Sequence, residues 1–133
     1  MAQPAITNKI LAGLKMSFGA LSLLVPSTGL TLFRFPTHAA ALVPMRMFGI
    51  RDLVFGGLLW TADSPEAIRR ALIAGAICDG VDIGIFAYGA WAGDLDFLTA
   101  DLAAGAGAAL VGLALWGLRK QGLPVGVGSG GKI

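Results

Sequence analysis

The sequence predicts an all-α membrane protein, a four-transmembrane-helix antiparallel bundle, and three observations predict it. Four apolar stretches are each about as long as the roughly 20 residues that a helix needs to cross hydrocarbon. Charged residues make up only 14% of the chain against 56% apolar, with mean hydropathy +0.76. A soluble domain is usually about one quarter charged. The basic residues, finally, collect at the ends of the apolar stretches and mostly on one side. Helices are the fitting element because lipid cannot satisfy free backbone groups. The competing reading, a very hydrophobic soluble bundle, fits the low charge poorly.

The first span runs from about Ile10 to Thr31, with Pro26 expected to kink it near its far end. Lys9 before an apolar run could open a signal peptide. No small-residue cleavage pattern follows, however, and the run exceeds a typical signal core, so a retained helix is expected. The second span covers about Ala39 to Thr61. The third covers Ile68 to Ala92, behind a helix start at Asp63-Ser64-Pro65-Glu66 with a Ser cap, Pro in the first turn and an acid beside it. Gly93-Asp94-Leu95-Asp96 reads as a short turn into the fourth span, Leu95 to Leu118. With 133 residues the chain is one domain by length. Residues 1–121 form the transmembrane domain, and residues 122–133, with five glycines, form a Gly-rich flexible tail.

Orientation follows from charge. Lys9, Lys15, Arg69, Arg70, Arg119, Lys120 and Lys132 fall on the side that holds both termini. Arg34, Arg46, Asp94 and Asp96 fall on the other. Positive-inside bias then predicts an integral membrane protein with both termini cytoplasmic. Lys15 is expected to snorkel to the cytoplasmic interface as an anchor. Trp60, Trp91 and Trp116 lie near span ends, as interfacial aromatics do. Ala104, Ala108 and Gly112, at four-residue spacing, form a close-packing face that serves either the bundle or a homo-oligomer. The pI near 9.0 reflects membrane anchors, with net charge only +2, and nucleic acid is not an expected partner. The single Cys78 excludes an internal disulfide and a multi-Cys metal site.

The informative residues are those that hydrocarbon should reject. Arg51 and Asp52 fall near the middle of the second span, and Asp79 and Asp82 near the middle of the third. Antiparallel spans on a short loop put all four at one depth. Asp79 and Asp82, three apart, share a helix face. Gly49 and Gly56 lie on the face of Asp52, and Gly75 on that of Asp79, so these glycines are expected to bring the two backbones together. An ionised group left alone in hydrocarbon costs several kcal/mol, on the order of translocon insertion values. Three carboxylates against Arg51, with Arg46 nearer the interface as a substrate-binding candidate, leave an excess of acid. At least one Asp should then hold a proton. A protonated acid beside an ionised one, both tied to Arg51, is a general-acid and general-base pair. The plainer reading is a set of ion pairs that fix helix register.

Weaker candidates complete the reading. Asp101, about two turns into the fourth span, lies nearer the acidic loop than the cluster. His38 follows Phe35-Pro36-Thr37 at a helix entry, where a cap or interface role is expected. Asp79-x-x-Asp82 suggests Mg²⁺ at first sight, but mid-membrane depth and a shortage of oxygen ligands argue against a metal. No cofactor motif, nucleophile elbow or phosphate loop is present in the sequence.

The run Arg46-Met47-Phe48-Gly49-Ile50-Arg51-Asp52-Leu53-Val54-Phe55-Gly56, followed by Asp79-Gly80-Val81-Asp82, resembles a domain-of-unknown-function family. Its members are small four-helix microbial membrane proteins, several encoded in secondary-metabolite gene clusters. The resemblance covers roughly Ile10 to Leu118. It implies the four-helix fold and makes natural-product tailoring the expected setting. At the level of the site alone, two acids bridged by an Arg are similar to limonene-type epoxide hydrolases, which are soluble and differently folded.

Three functions follow from these residues. The leading one is a membrane enzyme acting on a lipophilic small molecule by epoxide opening, cyclisation or isomerisation. Asp52 and one of Asp79 or Asp82 serve as acid and base, and Arg51 orients them. The second is a non-catalytic membrane scaffold or subunit held by ion pairs. The third is a proton-coupled carrier of the small four-helix multidrug type, against which stands the lack of an acid in the first span.

Overall fold

A computed structural model describes residues 6–120, and these are helical throughout, without a strand. Five helices follow in order: α1 (Ile6–Leu24), α2 (Pro26–Leu32), α3 (Ala39–Thr61), α4 (Pro65–Ala92) and α5 (Phe97–Lys120). The tail expected over residues 122–133 lies outside the described residues. α4 and α5 are each long and apolar enough to cross a membrane, and α1 with α2 qualifies when the pair counts as one span. α3 has the length, 23 residues, but any 18-residue stretch of it contains Arg46, Arg51 and Asp52. Its outward side is apolar nonetheless. Val43, Met47, Ile50, Val54 and Leu58 are exposed along one face, as are Ile77, Val81, Ile85 and Tyr88 along α4. Charge inside and apolar ridges outside are what lipid as solvent requires. The chain reads as a membrane protein.

The first expected span is two helices, so the described residues form five helices where four were expected. Pro26 has no N–H to give to Ser22, and its ring crowds that carbonyl. It also drives the residue before it out of helical geometry, and Val25 sits at φ −132°, ψ 67°. Pro26 then starts α2, bent 119° from α1. The bend carries Phe33 back to Phe18, ring centroids 5.5 Å apart and edge to face. α2 thus folds back along α1 and does not prolong it.

The other boundaries follow local chemistry. Ser64 Oγ accepts from the Ala67 N–H at 3.2 Å, Pro65 opens α4, and Glu66 pairs with Arg70 one turn on at 3.0 Å. Gly93 ends α4 in the left-handed region, φ 83°, where a side chain would be strained. Asp96 caps α5 by accepting from the Thr99 hydroxyl at 2.5 Å and its N–H at 3.2 Å. Those two bonds, the hydroxyl first, hold the Asp96 carboxyl below the usual carboxylate range. His38 stands at the N-cap of α3, but its side chain makes no capping bond there.

Packing divides the helices into two pairs. α1 lies along α3 and α4 along α5, and the pairs touch each other far less. Gly19 and Gly49 fit α1 to α3 reciprocally. A Cβ on Gly19 would sit 2.6 Å from the Gly49 carbonyl oxygen, and one on Gly49 would sit 2.7 Å from that of Gly19. Gly56 does the same against Ala12 and Met16. These glycines were expected to draw the second and third spans together; they draw α3 to α1 instead. Because backbone meets backbone, Gly49→Ala cannot be absorbed by a rotamer change and should cost about 1–3 kcal/mol. Gly57→Ala, with nothing within 4 Å of its added methyl, should cost nothing. Thermal unfolding in detergent checks both, and equal midpoints would mean that α1 and α3 are not packed this closely.

One end of the molecule is a closed apolar cluster. Leu11 and Ala12 of α1, Leu59 of α3, Ile68 and Leu72 of α4, and Ala114 and Leu118 of α5 pack together there. On α5 the residues turned inward are Thr99, Ala100, Ala103, Ala114, Gly117 and Leu118. Ala108 and Gly112 of the expected packing face are exposed, so that face does not hold the molecule itself together.

Candidate functional site

Beyond the closed cluster a cavity of about 500 Å³ lies between the two helix pairs. Its wall is aromatic and aliphatic, with Phe18, Phe33, Phe35, Phe48 and Phe86 among its residues. Phe18 touches Phe33 and Phe48 edge to face, and Phe35 leans on Phe86. The polar part of this wall is Lys15, Asp52, Asp79 and Asp82. An apolar pocket with a few convergent polar groups is the usual form of a small-molecule site.

Lys15 is the residue that sequence reasoning misplaced. It is 3% exposed, and its ammonium donates to both oxygens of Asp79, at 2.9 and 2.8 Å. It is a buried partner of the cluster and not an interface anchor. Gly75, one turn before Asp79, lies beside it, and a Cβ there would be in ordinary van der Waals contact with Lys15 Cε at 3.6 Å. The sequence did carry a signal. Asn8, Lys15, Gly19 and Ser22 recur on one face of α1, and all are buried. Six residues beyond Lys9 at 1.5 Å per residue is also too deep for a side chain that must reach the interface.

Arg51 meets Asp82 in a two-pronged pair. Its two terminal nitrogens donate to the two carboxylate oxygens at 3.1 and 2.6 Å. The guanidinium also lies 4.1 Å from the centre of the Phe48 ring, a cation–π contact. Arg51 is not part of the cavity wall; Asp82 is, with Arg51 holding it. Arg46, the substrate-binding candidate, is exposed and absent from the wall, and Asp101 is exposed on α5.

Asp52 is different. It is 1% exposed, yet its Oδ1 has no hydrogen-bond partner. The nearest cations, Arg51 at 3.6 Å and Lys15 at 3.9 Å, are each committed elsewhere by shorter bonds. Three acids against two cations leave the group one negative charge in excess (−3 + 2 = −1) if all ionise. Lys15 thus reduces the acid excess expected from the sequence without removing it. The five side chains come from α1, α3 and α4, so the cluster also joins the two helix pairs.

Compared with known protein families, curated proteins and solved structures, the chain matches none. Function is therefore argued from the site, where fold-level analogy would in any case be a weak guide.

Proposed function

We propose that the protein is a membrane enzyme that performs acid/base chemistry on a lipophilic small molecule in the cavity between its helix pairs. The observation that carries this reading is that the acid excess lines an apolar cavity and is not buried in solid packing. A neutral carboxyl gives its proton to the oxygen of an epoxide as the C–O bond breaks. Water bonds to the freed carbon, and a neighbouring carboxylate takes a proton from that water. The product is a diol, and proton return from base to acid closes the cycle. In a cyclisation an alkene carbon replaces water as nucleophile, and the carboxylate removes the proton from the resulting cation. The five phenylalanines suit such cationic character, since ring faces attract positive charge. The resemblance around Arg51, Asp52, Asp79 and Asp82 adds natural-product tailoring as the setting.

The test is production of the protein in a host without related chemistry, fed neutral polyketide or terpenoid epoxides, with product analysis. Diol or cyclised product that depends on the three acids is the expected result. No conversion across such a panel would leave the scaffold reading, which the well-made Lys15–Asp79 and Arg51–Asp82 pairs favour. Those pairs explain four of the five charged groups. They do not explain Asp52 or the cavity.

The membrane arrangement belongs to the same proposal: four spans, with both termini in the cytoplasm. Opposed contacts support it, since α1 and α3 meet through Ala12 with Gly56 and Gly19 with Gly49. So does the basic side, with Lys9 over Trp60 and Lys120 over Trp116. Reporters joined after Lys120 and within Gly93-Asp94 should signal from opposite sides. Signals from one side would remove the four-span arrangement.

A further inference from the structure

We infer that Asp52 is the acid that keeps the proton, and that the cavity binds an uncharged lipophilic molecule through a hydrogen bond from Asp52 to its oxygen. The inference rests on the cavity being the substrate site. It adds which acid is neutral and what chemical class the site accepts.

The groups around Asp52 can be enumerated. From α1 comes Lys15, from its own helix Arg51, and from α4 Asp79 and Asp82, with Cys78 of α4 near Arg51. Lys15 gives two of its three N–H groups to Asp79, and Arg51 gives its two terminal nitrogens to Asp82 while its Nε has no partner among the described residues. A proton placed on either of those acids would break a two-pronged charge-assisted pair, the strongest kind of hydrogen bond in the site. A proton placed on Asp52 breaks no hydrogen bond and gives up only the longer ion contacts of its Oδ1, with Arg51 at 3.6 Å and Lys15 at 3.9 Å. It also brings the sum of the five groups to zero, which is what a buried cluster requires. Cys78 is a free thiol and offers no competing cation.

This distribution sets the ligand. An anionic molecule would have to draw Lys15, the cation on the wall, away from Asp79, to which it already gives two N–H groups. A cationic one would have to displace Lys15 or Arg51 from a buried acid. A neutral molecule gives up nothing, and its hydrocarbon body meets the phenylalanine wall. A single carbonyl, ether or epoxide oxygen then accepts the Asp52 proton that otherwise has no partner. An unmet buried donor is costly, so such a ligand gains by supplying the acceptor.

Two measurements test this without turnover. In infrared spectra of the purified protein at neutral pH, one carboxylic-acid C=O stretch is expected. Asp52→Glu should move that band, whereas Asp79→Glu and Asp82→Glu should leave it in place. No band in the parent protein, or a band that follows Asp79 or Asp82, overturns the assignment. For the ligand, decalone, decalin and decalincarboxylate share a ring skeleton and differ only in polarity. Decalone should bind tightest and shift the acid band, and decalincarboxylate should bind weakest. In Asp52→Leu, decalone should lose about fivefold in affinity, to the level of decalin. Decalincarboxylate binding best, or decalone insensitive to Asp52→Leu, overturns the ligand class. Decalone has no epoxide to open, so these results stand apart from catalysis. If they hold and no epoxide is converted, the enzyme reading fails alone.

Discussion

Lys15→Met is expected to be the most destabilising single substitution in the protein, by about 3–5 kcal/mol. Methionine keeps the length and the apolar contacts of the lysine stem, so packing is not the cause. What is lost is the only cation among the described residues within bonding distance of Asp79, which is 3% exposed and accepts from Lys15 at both oxygens. A buried carboxylate left alone costs far more than the pair was worth, because it keeps its desolvation and loses its partner. The double variant Lys15→Met/Asp79→Asn should therefore regain most of the stability. Arg51→Met should cost less, because the Arg51 side chain is 28% exposed and that of Asp82 14%. Unfolding midpoints in detergent for the two single variants and the double form the cycle. A double variant no better than Lys15→Met would mean that the pair is not the source of the loss.

Asp52→Asn should reduce turnover by about two to four orders of magnitude, the usual contribution of a positioned acid. Asparagine keeps the shape and can still donate a hydrogen bond, but it cannot release a proton at neutral pH. Stability should be unchanged or higher, since the substitution removes the one carboxyl without a partner at Oδ1. Asp79→Asn and Asp82→Asn should also lose activity, but by a different route. Each frees a cation 3.9 or 3.6 Å from Asp52, which then ionises to pair with it. The three variants are thus alike in activity and unlike in stability. Rates with a converted epoxide, measured beside unfolding midpoints, separate them. Full activity in Asp52→Asn would remove Asp52 as the acid.

What the sequence disclosed was local chemistry and depth. The Ser64 cap, Pro65, Glu66 and the Gly93 end of α4 are written in neighbouring residues, and the structure has them where expected. The pairing of Arg51 with Asp82 follows from a shared depth on helices joined by a short loop. What it hid were partners. Gly49 and Gly56 announce a face that accepts a close backbone, but not whose backbone, and α1 claims it instead of α4. Lys15 looked like an anchor because basic residues near span ends usually are; only the acid count and the polar stripe on α1 argued otherwise. Pro26 was read as a kink because a proline inside an apolar run often is. The 119° turn into α2 also brings Gly29 against Met45 of α3, a contact that the run itself does not contain.

The division into two glycine-fitted pairs joined by charge implies two different rules for tolerated variation. Along α1 and α3, positions 19, 49 and 56 are limited by size, because a single methyl has nowhere to go. At 15 with 79, and at 51 with 82, the constraint is arithmetic: a cation and its acid are kept or lost together, whereas Asp52 is kept for its proton. A lineage that loses Lys15 can recover by losing an acid on a different helix. Substitutions at these paired positions should then drift in compensating sets, while the glycines stay fixed one by one.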